Sequence, residues 1–154
     1  MFGATLIGTM PLRTYQAPEA YAELGAYTLS LGDPDFIHQH VVDTYGAQVQ
    51  RPTDKPIRLV QSLVGLYLHV EHRFNGRQVQ RVHTLLADRR PAWPVLELPV
   101  DRGRFTVLEV VQRAPGVDFN AAIEEWAAST WGAFTLHRTA VVDLLVAHGI
   151  GTPG

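Results

Sequence analysis

Proline and glycine cut this chain into helix-length pieces, and that punctuation constrains its fold more than any other feature. Ten prolines and thirteen glycines are spread over 154 residues, and several stand at the ends of apolar-periodic stretches rather than inside them. Pro18 suits the first turn of a helix running to about Leu31, closed by Gly32. Asp33-Pro34 reads as an N-cap with proline in the first turn and opens a second helix to about Gln50. Thr53-Asp54-Lys55-Pro56 repeats the signal before the longest apolar helix, which the sequence ends at Asn75-Gly76. A fourth helix is expected from about Arg77 to Ala87. Residues 90–104 hold Pro91, Pro94 and Pro99 and read as an extended connector, not a strand. Thr106-x-x-Glu109 is a capping box for a short helix through Gln112. Ala114-Pro115-Gly116 breaks the chain, Asp118 caps, and a long helical pattern runs to His148, with Gly132 as a point of splitting and Gly149 as its end. The expectation is an all-α fold: one compact bundle of five to six helices over residues 1–154, with an irregular segment at 1–16.

Composition sets limits on chemistry. Apolar residues make up 46 %, enough for a sizeable core, and a formal net charge of −2 argues against a general nucleic-acid binder. No helix-turn-helix with a basic recognition helix is evident. Cysteine is absent, which excludes disulfides, thiolate metal sites and a cysteine nucleophile, and leaves seven histidines as the main titrating groups. The start, Met1-Phe2-Gly3-Ala4-Thr5-Leu6, lacks the pattern of a secretory signal. The most apolar window, Leu59 to Val70, is interrupted by Gln61, Ser62 and His69 and is shorter than the roughly 20 residues a bilayer requires. A soluble, cytoplasmic protein without a membrane partner is expected. No G-x-S-x-G elbow, phosphate-binding loop or dinucleotide fingerprint is present, so no nucleotide cofactor is expected.

Projection at about 100° per residue locates the helical faces. On the second helix Ile37, Val41, Val42, Tyr45 and Val49 form an apolar arc with His38 in its middle, and His40 points the other way, toward solvent. On the third, Glu71 falls inside a broad arc from Leu59 to Phe74. On the last, His137 sits among Ile123, Trp126, Phe134, Val141 and Leu144. His38, Glu71 and His137 thus come from three helices and face the expected core, where a charge needs a partner. Two imidazoles and a carboxylate are a workable set for zinc, manganese, nickel or iron. Asp43, Tyr45 and Gln48 are the polar residues expected to support that centre. The competing pair is His69 and His72, whose i, i+3 spacing puts both on one helix face. Arg73, Arg77 and Arg81 could form a basic strip, though the Asn75-Gly76 turn is expected to break it. Trp131 and Arg138 project away from the His137 face, toward the connector or a second subunit.

Several stretches carry a resemblance: Gly3-Ala4; His38-Gln39-x-x-Val42-Asp43-x-Tyr45-x-x-Gln48; Leu63-Val64-x-Leu66-x-Leu68-x-x-Glu71; Gly76-Arg77-Gln78-Val79-Gln80-Arg81; Trp93-Pro94 with Arg102-Gly103-x-x-Thr106-Val107; and Trp126-Ala127-x-x-x-Trp131-x-x-x-x-x-His137. Through them the chain resembles, over nearly its whole length, a family of uncharacterised bacterial proteins, a domain of unknown function. The resemblance implies a compact helical domain and no established activity. Many relatives carry a Cys-x-x-Cys pair just before the Gly-Ala and a further Cys near Pro18; here Met1-Phe2 and Ala20 stand there. A looser architectural likeness is to the DinB-type four-helix metalloproteins, which hold a divalent ion with histidines from separate helices.

Two functional readings follow. The first is a metal-binding protein, or a metal-dependent enzyme of unknown substrate, in which a cation at His38, Glu71 and His137 would activate a nucleophile. The second is an interaction module, homodimeric, with a metal-free polar core.

Overall fold

The computed structural model describes residues 6–7, 10–11, 16–113 and 117–151. The helices are α1 (Ala17–Ser30), α2 (His38–Val49), α3 (Pro56–His72), α4 (Gly76–Arg89), α5 (Val107–Gln112), α6 (Val117–Phe134) and α7 (Arg138–Ala147), with a 3₁₀ turn at Thr135–His137 between the last two. Among the described residues the one strand pairing is two residues long, Leu6 opposite Pro11 and Ile7 opposite Met10. The fold is all-α, as expected.

Proline in the first turn opens α1 and α3, and the Thr106–Glu109 capping box opens α5. Residues 90–104 carry no helix or strand and lie extended over the bundle. The expected break at Ala114-Pro115-Gly116 and the side chain of Asp118 lie outside the described residues, as do Met1-Phe2 and Gly3-Ala4.

Three boundaries need correction. Asp33 does cap backbone amides, its carboxylate accepting from Asp35 N at 2.9 Å and Ile37 N at 3.0 Å, but α2 begins only at His38. Phe36 at φ 57° turns the chain left-handed first. The third helix stops at His72 because Arg73, at φ 60°, forms its left-handed C-cap. Asn75 instead starts α4: its side chain accepts from Gln78 N while the Gln78 Oε1 accepts from Asn75 N, a second capping box. The last helical stretch breaks at Thr135–His137 rather than at Gly132.

The third helix lies at the centre, with Leu59, Val60 and Ser62 to Leu68 all buried, so it is surrounded on most sides. Leu63, Leu66, Leu68, Val79, Leu86, Trp131, Phe134 and Leu145 belong to one apolar cluster; Leu24, Val41, Val110, Ile123 and Trp126 belong to another. The sixth helix crosses both. Contact between α2 and α3 is close because each supplies a glycine opposite a polar side chain of the other. A Cβ on Gly46 would stand 2.6 Å from Ser62 Oγ, and one on Gly65 would stand 1.9 Å from Asp43 Oδ2. No helix among the described residues is long and apolar enough to cross a membrane.

Candidate functional site

His38, Glu71 and His137 do not form the shared centre expected of them. The Nδ1 of His38 lies 2.8 Å from the Thr28 hydroxyl at the first turn of α2. The Glu71 carboxylate sits at the surface and takes three bonds of 2.8–3.0 Å from the Arg138 guanidinium and one of 2.8 Å from Trp131 Nε1. Arg138 beside it, with help from Trp131, holds the Glu71 carboxyl below the usual carboxylate range. His137 falls in the 3₁₀ turn and donates from Nε2 to the Glu97 carbonyl at 2.6 Å, tying the connector down. Each of the three is engaged locally, and among the described residues no group of three or more His, Asp or Glu is disposed to hold a metal ion. Trp131 and Arg138, expected to face the connector or a partner, converge on Glu71 instead.

The two histidines of the alternative pair have different partners. His72 Nε2 lies 2.8 Å from the Tyr67 hydroxyl. His69 stacks on His40, with ring centroids 3.5 Å apart and planes 17° from parallel. Of the expected supporting residues, Gln48 is a hub for the fold. Its Nε2 donates to the carbonyls of Arg102 and Phe105 at 3.0 and 2.8 Å, and its Oε1 accepts from Trp126 Nε1 at 2.8 Å. Tyr45 stacks on Tyr21 at 4.0 Å.

Asp43 lies at the heart of a polar cluster that projection did not bring together. Its Oδ1 accepts from Gln39 Nε2 at 3.2 Å; its Oδ2 has no hydrogen-bond partner and lies 3.8 Å from His83 Nε2. His83 donates from Nε2 to the Gln61 carbonyl at 2.8 Å, and Gln61 Nε2 returns a bond to the His83 carbonyl at 3.0 Å. Burial pushes the Asp43 carboxyl well above its usual range and the His83 imidazole down, so both are biased to neutrality.

A cleft opens elsewhere, between the end of α1, the 33–37 turn, the C-terminal end of α3 and α6. It is a cleft of about 570 Å³, within the size range of small-molecule sites. The left-handed residue Arg73 and the neighbours of left-handed Phe36 line it. Stacked His40 and His69 form part of its wall. His40 is only 5 % exposed, against the expectation of a solvated residue, and burial, with His69 beside it, pushes its pKa down to about 3. Burial lowers His69 too. The Nδ1 of His69 donates to the Phe74 carbonyl at 3.0 Å, which fixes the neutral tautomer and leaves Nε2 as an acceptor. Among the described residues nothing hydrogen-bonds either ring nitrogen of His40. Asp33, Asp35 and Glu124 line the same cleft against a single cation, Arg73. The Arg77 guanidinium lies 4.2 Å over the Phe36 ring, and Arg77 and Arg81 line a separate opening while Arg73 lines this cleft.

The helix periodicity held the signal for this site. The buried face of α2 runs His40, Asp43, Thr44, Ala47 at i, i+3, i+4, i+7, but it is mostly polar, so an arc drawn through the apolar residues pointed to the other side.

No curated protein and no solved structure matches the chain. A family model does, over residues 16–135, from the start of α1 to the 3₁₀ turn after α6. The chain therefore belongs to a family of unknown function, DUF5946.

Proposed function

We propose that this chain is a ligand-binding helical module, with the cleft beside His40 and His69 as its site. The observation that carries the reading is a largely buried imidazole opening on a cleft, with neither ring nitrogen hydrogen-bonded among the described residues. Neither ring nitrogen is among the buried unpaired atoms of the described residues, so both face the solvent of the cleft, where a ligand can take the place of water. With a pKa near 3, His40 is too weak a base to take protons at neutral pH. The pair is therefore suited to hydrogen bonding rather than acid–base chemistry.

A divalent ion of the expected kind, zinc, manganese, nickel or iron, fits this pair poorly. An ion about 2 Å from each nitrogen must lie in both ring planes, and two nearly parallel rings stacked at 3.5 Å share no such point nearby. The expected homodimer belongs to the same reading of the chain as a binding module. Leu136 at 60 % and Val146 at 72 % exposure leave apolar surface on the C-terminal helical stretch, and sedimentation velocity reads the state directly.

A fragment screen on histidine-labelled protein tests the cleft. Compounds that bind are expected to shift the ring signals of His40 and His69 together while leaving His137 unmoved. A screen in which shifts fall everywhere but on that pair sinks the reading.

A further inference from the structure

Resting on that reading of the cleft, we propose that its ligand is a small organic cation, a molecule carrying a primary ammonium or guanidinium group on a short apolar stem. The wall is dominated by acceptors. His69 Nε2 is an acceptor because its Nδ1 is spent on the Phe74 carbonyl, and a neutral His40 ring offers a second bare lone pair. Asp33, Asp35 and Glu124 add three carboxylates against the one guanidinium of Arg73.

The backbone donors that would draw an anion are closed. Backbone amides at the start of α2 are already used: Ile37 N by the Asp33 carboxylate, Gln39 N by the Phe36 carbonyl and His40 N by the Ile37 carbonyl. The C-terminal end of α3, the negative end of its dipole, faces the same space through His69 and Arg73. Leu31, Ile37 and Phe74 supply apolar surface for the stem. A donor-rich cation would meet the lone pairs of both imidazoles and complement the carboxylates at once; an anion would meet only the His40 N–H and the Arg73 guanidinium, against three carboxylates.

The test uses four probes of one size: butylammonium, butylguanidinium, butanol and butyrate. They are titrated into the full chain while the imidazole nitrogens of His40 and His69 are followed by NMR. The two cations are expected to saturate with shifts at both rings, and butyrate is expected to leave them unmoved. Glu124→Gln, on an exposed position of α6, is expected to weaken cation binding about threefold, and His137→Ala is expected to leave it unchanged. Saturation by butyrate instead of the cations overturns the cation assignment while leaving the cleft as the site. Shifts at both rings with zinc but not with butylammonium also overturn it, in favour of a metal. If the four probes and the fragment screen are all silent at these rings, the reading of the cleft itself fails.

Discussion

His40 and Asp43 stand one turn apart on the buried face of α2 and oppose one another in their response to pH. The folded-state pKa of His40, about 3, lies below its ordinary 6.5. Between those values the unfolded chain holds a proton that the folded chain refuses, so stability is lost as pH falls through that window. For a single site over this interval the loss is on the order of 5 kcal/mol. Asp43 is shifted the other way, so its folded state favours the neutral acid. Its contribution is present at low pH and is lost as pH rises from the ordinary carboxylate range toward the raised value. Between pH 3.8 and 6.5 the two slopes oppose and partly cancel, so urea melts from pH 3.5 to 8 are expected to show a plateau there. His40→Leu should flatten the acid limb and Asp43→Asn the alkaline one. An acid limb that keeps its slope in His40→Leu refutes the first assignment. These two residues also mark the limit of what periodicity could reveal. His38 looked buried because Ile37, Val41, Val42 and Tyr45 surround it in projection, yet Val42 and Tyr45 are only half-buried. The face pressed on α3 is the polar one, held there by glycines and by burial of neutral side chains.

At the scale of elements, sequence signals with a local cause survived and those that depend on partners did not. The capping box at Thr106 and the prolines of α1 and α3 act through their own first turns, and each is where the chain pattern put it. Asn75-Gly76 predicts the end of α3 but starts α4, because a glycine following an asparagine suits a C-cap as well as an N-cap. The deciding fact is tertiary. A Cβ on Gly76 would meet the Phe36 carbonyl oxygen at 1.8 Å, so the 33–37 turn and the start of α4 can pack only through glycine. Gly65 differs in kind, since a Cβ there meets the Asp43 side chain. Gly65→Ala is expected to destabilise by about 2–4 kcal/mol, and Asp43→Ala in the same chain should recover part of that loss. A double-mutant cycle in urea checks this; strict additivity would show that the two helices do not meet there. Gly76→Ala is expected to be as damaging and to find no such rescue, because its obstacle is backbone.

For the whole molecule, the long-range ties run through the connector and the C-terminal stretch. Glu71 joins the end of α3 to Trp131 on α6 and Arg138 on α7, so the most exposed of the expected ligands is a clasp between distant parts of the chain. Loss of the carboxylate in Glu71→Ala is expected to cost about 1–2 kcal/mol, discounted for its exposure, and to leave cation binding at the cleft unchanged; thermal melts and the NMR titration check the two halves. The all-α class and the order of helices were legible because propensity and punctuation agree along the chain. Which side chains meet was not, since projection gives direction around a helix and not height along the bundle.

Arg102 carries a consequence for the order of assembly. Its guanidinium reaches the carbonyls of Ala47, Gln48 and Gln50, at 3.5, 3.0 and 2.6 Å, where α2 ends. That array of acceptors exists only once α2 has wound, and Arg102 lies more than fifty residues further along the chain. We predict that the connector docks late in folding, over helices already packed. Contacts made after the transition state slow unfolding without hastening folding. Arg102→Ala should accordingly speed unfolding in stopped-flow measurements while the refolding arm stays where it is, so the strap over the bundle acts as a brake on its opening.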